Sequence, residues 1–238
     1  MTTPLPTQPM PPEKTRIQLI LVPAGAEYQA VKRAINRVQN GPQLVAIPAG
    51  SQAVQRFFDT WQSPLTGGVL LMGLGGSLST HYNTGDGVLL ETVWPEESAG
   101  AISYDCDRPL TQWLAQQLTD IALGTGVTCN HVITTAAEKR QLRDRYGADV
   151  VDMEGAALLQ ALPNCPIAIL RVISDDCHHD LPDLSTVIGA DGTLKPIPLT
   201  LSFLQQPLAA LRLIRGSLKG LQTLEQLTVE LCQSRREP

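Results

Sequence analysis

The sequence predicts an α/β fold of three layers, in which a central, twisted, mostly parallel (mixed) sheet is flanked by helices. Three observations lead there. Short apolar runs of strand length alternate with segments whose apolar residues recur every three or four positions. The apolar runs carry hydrophobic residues on both faces, as strands covered on both sides by helices do. Two of these runs end in charge: Val150-Val151 leads into Asp152-Met153-Glu154, and residues 167–173 lead into Ser174-Asp175-Asp176. In an open α/β sheet, ligands bind outside the carboxyl ends of the strands, so carboxylates delivered there mark a candidate site. With 238 residues, 43% hydrophobic and 17% charged, the chain suits one globular domain with a sizeable core.

The elements follow in order. Residues 16–22 form a first strand, Pro23-Ala24-Gly25-Ala26 a turn, and Glu27 opens a helix carrying Ala30, Val31, Ala34, Ile35 and Val38 at helical spacing. Residues 43–47 form a second strand, and Pro48-Ala49-Gly50-Ser51 turns into a helix over 52–61. A third strand over 68–72 runs into Gly73-Leu74-Gly75-Gly76-Ser77-Leu78-Ser79, read as a glycine-rich strand-to-turn segment. A strand over 88–93, a helix over 111–122, a strand over 127–134 and a short polar helix over 138–146 precede the two charged strand ends. A loop over 177–195 leads to a helical tail over 198–232. There Leu211, Ile214, Leu218, Leu221, Leu224 and Leu231 recur at three or four residues or multiples of these, while Gly216 and Gly220 weaken the helix. The chain thus divides into a Pro- and Thr-rich disordered tail over 1–14, a main domain over 15–195, and a C-terminal helical extension of that domain over 196–238.

Composition removes several function classes. A net charge of -5 without a basic patch gives nucleic-acid binding no support. Five scattered cysteines without a Cys-x-x-Cys pair argue against a disulfide framework and for a reducing cytoplasm. No run of eighteen apolar residues is present. The glycine-rich segment lacks Gly-x-Gly-x-x-Gly, so it is not a dinucleotide fingerprint, and no Gly-Lys-Ser/Thr makes it a P-loop. Cys177-His178-His179-Asp180 stands without a second ligand cluster, so no metal is expected and the segment reads as a solvated loop at the mouth of the site.

Val150 to Ala157 and Arg171 to Asp176 together resemble the signature of the nucleoside phosphorylase/nucleosidase superfamily, which includes methylthioadenosine/S-adenosylhomocysteine nucleosidases; the resemblance covers most of residues 16–182. It implies cleavage of a purine N-glycosidic bond, with no cofactor beyond phosphate as co-substrate if the enzyme is a phosphorylase. Asp175 is then the acid that protonates the leaving base at N7, a role favoured by burial and by other carboxylates close by. Ser174 stands beside it. Glu154 binds ribose hydroxyls and Met153 packs on the nucleoside. Glu27 activates the attacking water, and Arg171, a buried arginine in need of a carboxylate, pairs with Glu27. Gly73, Gly75, Gly76 and Ser77 bring backbone close to sugar and nucleophile. Asp176 is expected only to cap a turn or face solvent.

Within the superfamily, Thr135-Ala136-Ala137-Glu138-Lys139-Arg140, Leu181-Pro182-Asp183 and Gln206-Pro207-Leu208-Ala209-Ala210-Leu211 resemble the hopanoid-biosynthesis-associated phosphorylase-like group, which implies a lipid-linked adenosine as substrate. The chain departs from the family's phosphorylases in having no arginine in the glycine-rich segment or between Val22 and Glu27. That departure favours hydrolysis of an adenine nucleoside such as methylthioadenosine or S-adenosylhomocysteine. Phosphorolysis of an adenosyl-lipid and non-catalytic nucleoside binding are the alternatives. By analogy with the family a homo-oligomer, a dimer first, is expected. The leucine pattern of the tail, with Arg212, Arg215 and Lys219 between, reads as core- or dimer-packing helices, with membrane-surface contact as the second option.

Overall fold

The computed structural model describes residues 17–38, 41–96, 102–182 and 206–234. The expected tail over 1–14 and most of the loop before the last helix lie outside these residues. The elements are β1 (Ile17–Pro23), α1 (Ala26–Ile35), β2 (Gln43–Ile47), α2 (Ser51–Asp59), β3 (Gly68–Ser77), β4 (Gly87–Pro95), β5 (Tyr104–Asp105), α3 (Arg108–Gln117), β6 (Ile121–Thr128), α4 (Ala136–Tyr146), β7 (Val150–Asp152), α5 (Gly155–Ala161), β8 (Ile167–Asp175) and α6 (Pro207–Ser234).

The sheet is mixed and mainly parallel. Parallel pairs join β1 to β2 and β3, β3 to β8, and β6 to β4 and β7. Antiparallel pairs join β3 to β7, β4 to β5 and β4 to β8. Because β8 bridges β3 and β4 while β7 bridges β3 and β6, part of the sheet curls into a closed ring. One face packs Leu19, Leu21, Val69 and Leu71 against Val54 and Phe58 of α2 and Ala156 to Leu159 of α5. The other packs Ile20, Leu70, Met72 and Leu170 against Val31 of α1, Leu110 and Leu114 of α3, and Leu224 and Leu231 of α6. The central strands β1, β3 and β8 therefore bury both faces, which is why they read as continuous apolar runs.

Four expectations change. The glycine-rich segment is not a turn: β3 continues through Gly73 to Ser77, paired with β8 on one side and β7 on the other. The helix expected over 111–122 ends at Gln117. Asp107 starts it early, its carboxylate accepting from Leu110 N at 2.8 Å with a proline in the first turn. Its apolar end, Ile121 and Ala122, belongs to β6 and pairs with β4, so that strand covers Ile121–Thr128 rather than 127–134. Short apolar runs fit either period, and pairing decides between them.

The tail is a single 28-residue helix among the described residues, not a helix pair. Its two glycines are packing positions. A Cβ at Gly216 would collide with the Ser174 carbonyl, and one at Gly220 would lie 2.8 Å from Leu74 Cδ2. They let α6 press against the end of β8. The leucine stripe divides: Leu224 and Leu231 are buried, while Leu211, Ile214 and Leu218 are exposed. No described helix is long and apolar enough to cross a membrane. All five cysteines are free thiols.

Candidate active site

Arg171 sits in the middle of β8 with no solvent exposure. Its register partner on β3 is Gly73, and a Cβ there would fall on Arg171 Nη1, so the glycine makes room for the guanidinium. Arg171 Nε and Nη2 donate to Asp152 Oδ2 at 3.0 and 2.5 Å, and Nη2 also donates to Glu154 Oε2 at 3.0 Å. Burial works against the charge, but Asp152 and Glu154 outweigh it and raise the arginine's pKa further. Nη1 is buried and has no hydrogen-bond partner among the described residues. Such a donor is costly unless a ligand or water meets it.

Asp152 is the anchor of this cluster. Besides Arg171, it accepts from Thr128 Oγ1 at 2.5 Å and from Gly155 N at 2.9 Å, the latter at the start of α5. Thr128 Oγ1 in turn accepts from Ala156 N at 2.8 Å. A side chain at Gly155 would press on the Asp152 carboxylate, so glycine is required there.

Glu154, also buried, uses its second oxygen to accept from Gly50 N at 3.0 Å. Ser51 Oγ donates to the Met153 carbonyl at 2.9 Å, and Met153 is half-buried. The β2–α2 turn is thereby tied to the end of β7. Burial raises the Glu154 pKa, opposed by Arg171 and the Gly50 N–H.

Glu27, in the first turn of α1, accepts from Leu74 N at 2.6 Å. A Cβ on Gly73 would stand 2.9 Å from Glu27 Oε1 and against Arg171 Nη1, so the two groups flank the same bare stretch of β3. Burial pushes the Glu27 pKa up to about 7, with the negative Glu154 adding to the rise, and the Leu74 N–H and Arg171 opposing it. A carboxyl in that range exchanges protons near neutrality.

At the end of β8, Asp175 Oδ1 accepts from Ser174 Oγ at 2.6 Å, and Oδ2 forms a salt bridge with Lys139 of α4. A bulge between Gly75 and Gly76 sets Gly76 opposite Asp175, where a Cβ would lie 3.0 Å from Oδ2. Ser174 and Asp175 line a cavity of about 280 Å³, together with Asp176, His179 and Leu181 from the following loop and Arg212 from α6. Asp176 caps its turn, accepting from His178 N at 2.8 Å and His179 N at 3.0 Å. These bonds lower its pKa although burial works to raise it. Asp180 Oδ1 accepts from Ala136 N at 2.7 Å at the start of α4. Among the described residues no group of His, Cys, Asp and Glu is arranged to hold a metal ion.

The expected residues therefore converge on β3, β7, β8 and the start of α1, with three corrections. Arg171 pairs with Asp152 and Glu154, not with Glu27, because its Nε and Nη2 face the end of β7. The charged neighbour of Asp175 is a lysine rather than further carboxylates. The Ser77 hydroxyl is buried and donates to the Ser79 carbonyl at 2.7 Å, so it is spent on the chain itself. Asp152 stood in the motif without a role. Its signal was available: a buried arginine near three carboxylates needs one to hold it. Lys139 had no such signal, since α4 reads as polar throughout.

A model of the phosphorylase superfamily matches residues 65–190, more than half of the chain. Among solved structures, futalosine hydrolase of Helicobacter pylori strain 26695 superposes with a TM-score of 0.66 at 14% identity, covering 90% of this chain and 96% of that one. The 5'-methylthioadenosine/S-adenosylhomocysteine nucleosidase of Colwellia psychrerythraea 34H, in complex with adenine, gives 0.65 at 13% identity, covering 92% and 95%. That of Helicobacter pylori gives 0.63 at 15% identity, covering 92% and 97%. No curated protein sequence matches the chain significantly.

Proposed function

Since the chain belongs to the phosphorylase superfamily, we propose that it is an enzyme that cleaves the N-glycosidic bond of a purine nucleoside, with water as the nucleophile. One observation carries the choice of water. Around the nucleophile end, Glu27, Asp152 and Glu154 are gathered about a single guanidinium that already serves two of them. A phosphate dianion brought there meets net negative charge, whereas water meets a carboxyl near its pKa and an unpartnered N–H.

The residues divide the work. Glu27 takes a proton from water held by Arg171 Nη1, and the oxygen attacks the anomeric carbon. Glu154 accepts from ribose hydroxyls, and its negative charge favours the cation-like sugar in the transition state. Met153 packs on the sugar and its 5' substituent. Asp175, steadied by Ser174, delivers a proton to the base as the bond breaks. The bare strand at Gly73, Gly75 and Gly76 lets the nucleoside lie close to the β3 backbone.

The structural neighbours' names support 5'-methylthioadenosine and S-adenosylhomocysteine as the first substrates to try, with futalosine beside them. The test is a product assay with these three plus adenosine and inosine, each with and without phosphate, resolved by mass spectrometry. Free base with free sugar in the absence of phosphate is the expected result. Sugar 1-phosphate formed only with phosphate would overturn hydrolysis. Tight nucleoside binding without base release would favour a binding protein.

A further inference from the structure

Lys139 has no part in the steps above, yet it is the most completely buried ammonium among the described residues. The helix that carries it, α4, exposes Arg140, Gln141, Asp144 and Arg145 and buries this lysine alongside Ala136 and Leu142. Its Nζ donates to Asp175 Oδ2 and, at 2.5 Å, to the Asp176 carbonyl. Two further bonds lock the start of α4 to the loop after β8: Ala136 N donates to Asp180 Oδ1 at 2.7 Å, and Leu181 N donates to the Thr134 carbonyl at 2.8 Å. The ammonium is thus held at one oxygen of a carboxyl whose residue lines the cavity of about 280 Å³. Burying an ammonium is costly, and a pair placed only for stability is readily replaced by apolar packing. Placement against the one carboxyl assigned to the leaving base points to use.

Resting on the glycosidase reading, we propose that Lys139 is a positioning residue acting through Asp175, fixing its carboxyl and resupplying the proton that the base takes. As the bond from the anomeric carbon to the base nitrogen breaks, its electron pair goes to the base, and N7 takes a proton through Asp175. The Asp175 carboxylate takes that proton from the Lys139 ammonium along their hydrogen bond as it hands it on. The neutral amine regains a proton from solvent after the products leave. Among the described residues only Ser174 and Lys139 bond the Asp175 side chain, and of the two the lysine is the charged donor.

The experiment compares wild type with K139M, which keeps the length of the apolar stem, on a purine nucleoside and on 4-nitrophenyl riboside, whose leaving group needs no proton. On the purine nucleoside, kcat should fall about 100-fold, the size of a general-acid contribution, with KM within about threefold. Turnover of the 4-nitrophenyl riboside should stay within about threefold of wild type, which also shows that the variant is folded. Purine turnover kept within threefold would overturn the proposal. So would a loss in which KM moves with kcat, or in which both substrates suffer equally, since that marks a structural role. If wild type itself releases no base from any nucleoside, the glycosidase reading fails instead, and the two failures are distinct.

Discussion

Around Arg171, one guanidinium serves Asp152 and Glu154 with Glu27 beside them; around Asp175, one ammonium serves one carboxylate. Both clusters are buried on the same strand, four residues apart, but their charge balance differs. In the first, negative groups outnumber positive ones, and Glu27 has its pKa raised to about 7, by burial above all and then by the negative Glu154. In the second, charges match and a short hydrogen-bonded chain from Lys139 to Asp175 results. The difference teaches a division of labour: an unbalanced cluster keeps a carboxyl ready to accept a proton, while a balanced pair hands one on.

The largest effect should come from breaking the unbalanced cluster at its centre. R171M strands Asp152 and Glu154 without their cation and should cost roughly 3–5 kcal/mol in urea denaturation, besides all activity. Next, D175N should lower kcat on a purine nucleoside by about 10²–10⁴, and it should also lower the urea midpoint, because the buried Lys139 ammonium loses its charge partner. A variant as active as wild type would remove Asp175 from the mechanism.

E27Q separates stability from activity. Between the ordinary value of 4.5 and about 7, the folded protein keeps a Glu27 proton that the unfolded chain has lost. Folding stability therefore falls as pH rises through that window. Glutamine removes this penalty, which is at most about 3 kcal/mol for such a shift and less with the partial exposure of Glu27. At pH 8 the Tm of E27Q should exceed that of wild type, the gain should vanish below pH 4.5, and turnover should be lost throughout. The smallest effect belongs to S77A: losing the bond to the Ser79 carbonyl should cost about 1 kcal/mol, with kcat within a few-fold of wild type. A large kcat loss would return Ser77 to the ligand.

Much of this was legible in the chain. Strands buried on both faces announce themselves as apolar runs, so β1, β7 and β8 were found close to their true bounds. The carboxylates at strand ends led to Glu154 and Asp175, and the oddity of an arginine within an apolar strand led to Arg171. The remainder depended on pairing across the sheet. Whether Ile121 and Ala122 continue a helix or start a strand is settled by β4, and whether Gly73 to Ser77 turns or stays extended is settled by β7 and β8. Which carboxylate holds Arg171 depends on where its guanidinium points. Gly216 and Gly220, which weaken a lone helix, become contact points once β8 lies beneath them.

The central claim, that Glu27 is the base, made available near neutrality by burial with the negative Glu154 beside it, is tested most directly by the pH profile of kcat/KM for purine nucleoside cleavage. The account predicts an acidic limb with an apparent pKa of about 7, set by a free enzyme that must lose the Glu27 proton before water can attack. A profile that stays flat from neutrality down to pH 5 would contradict it.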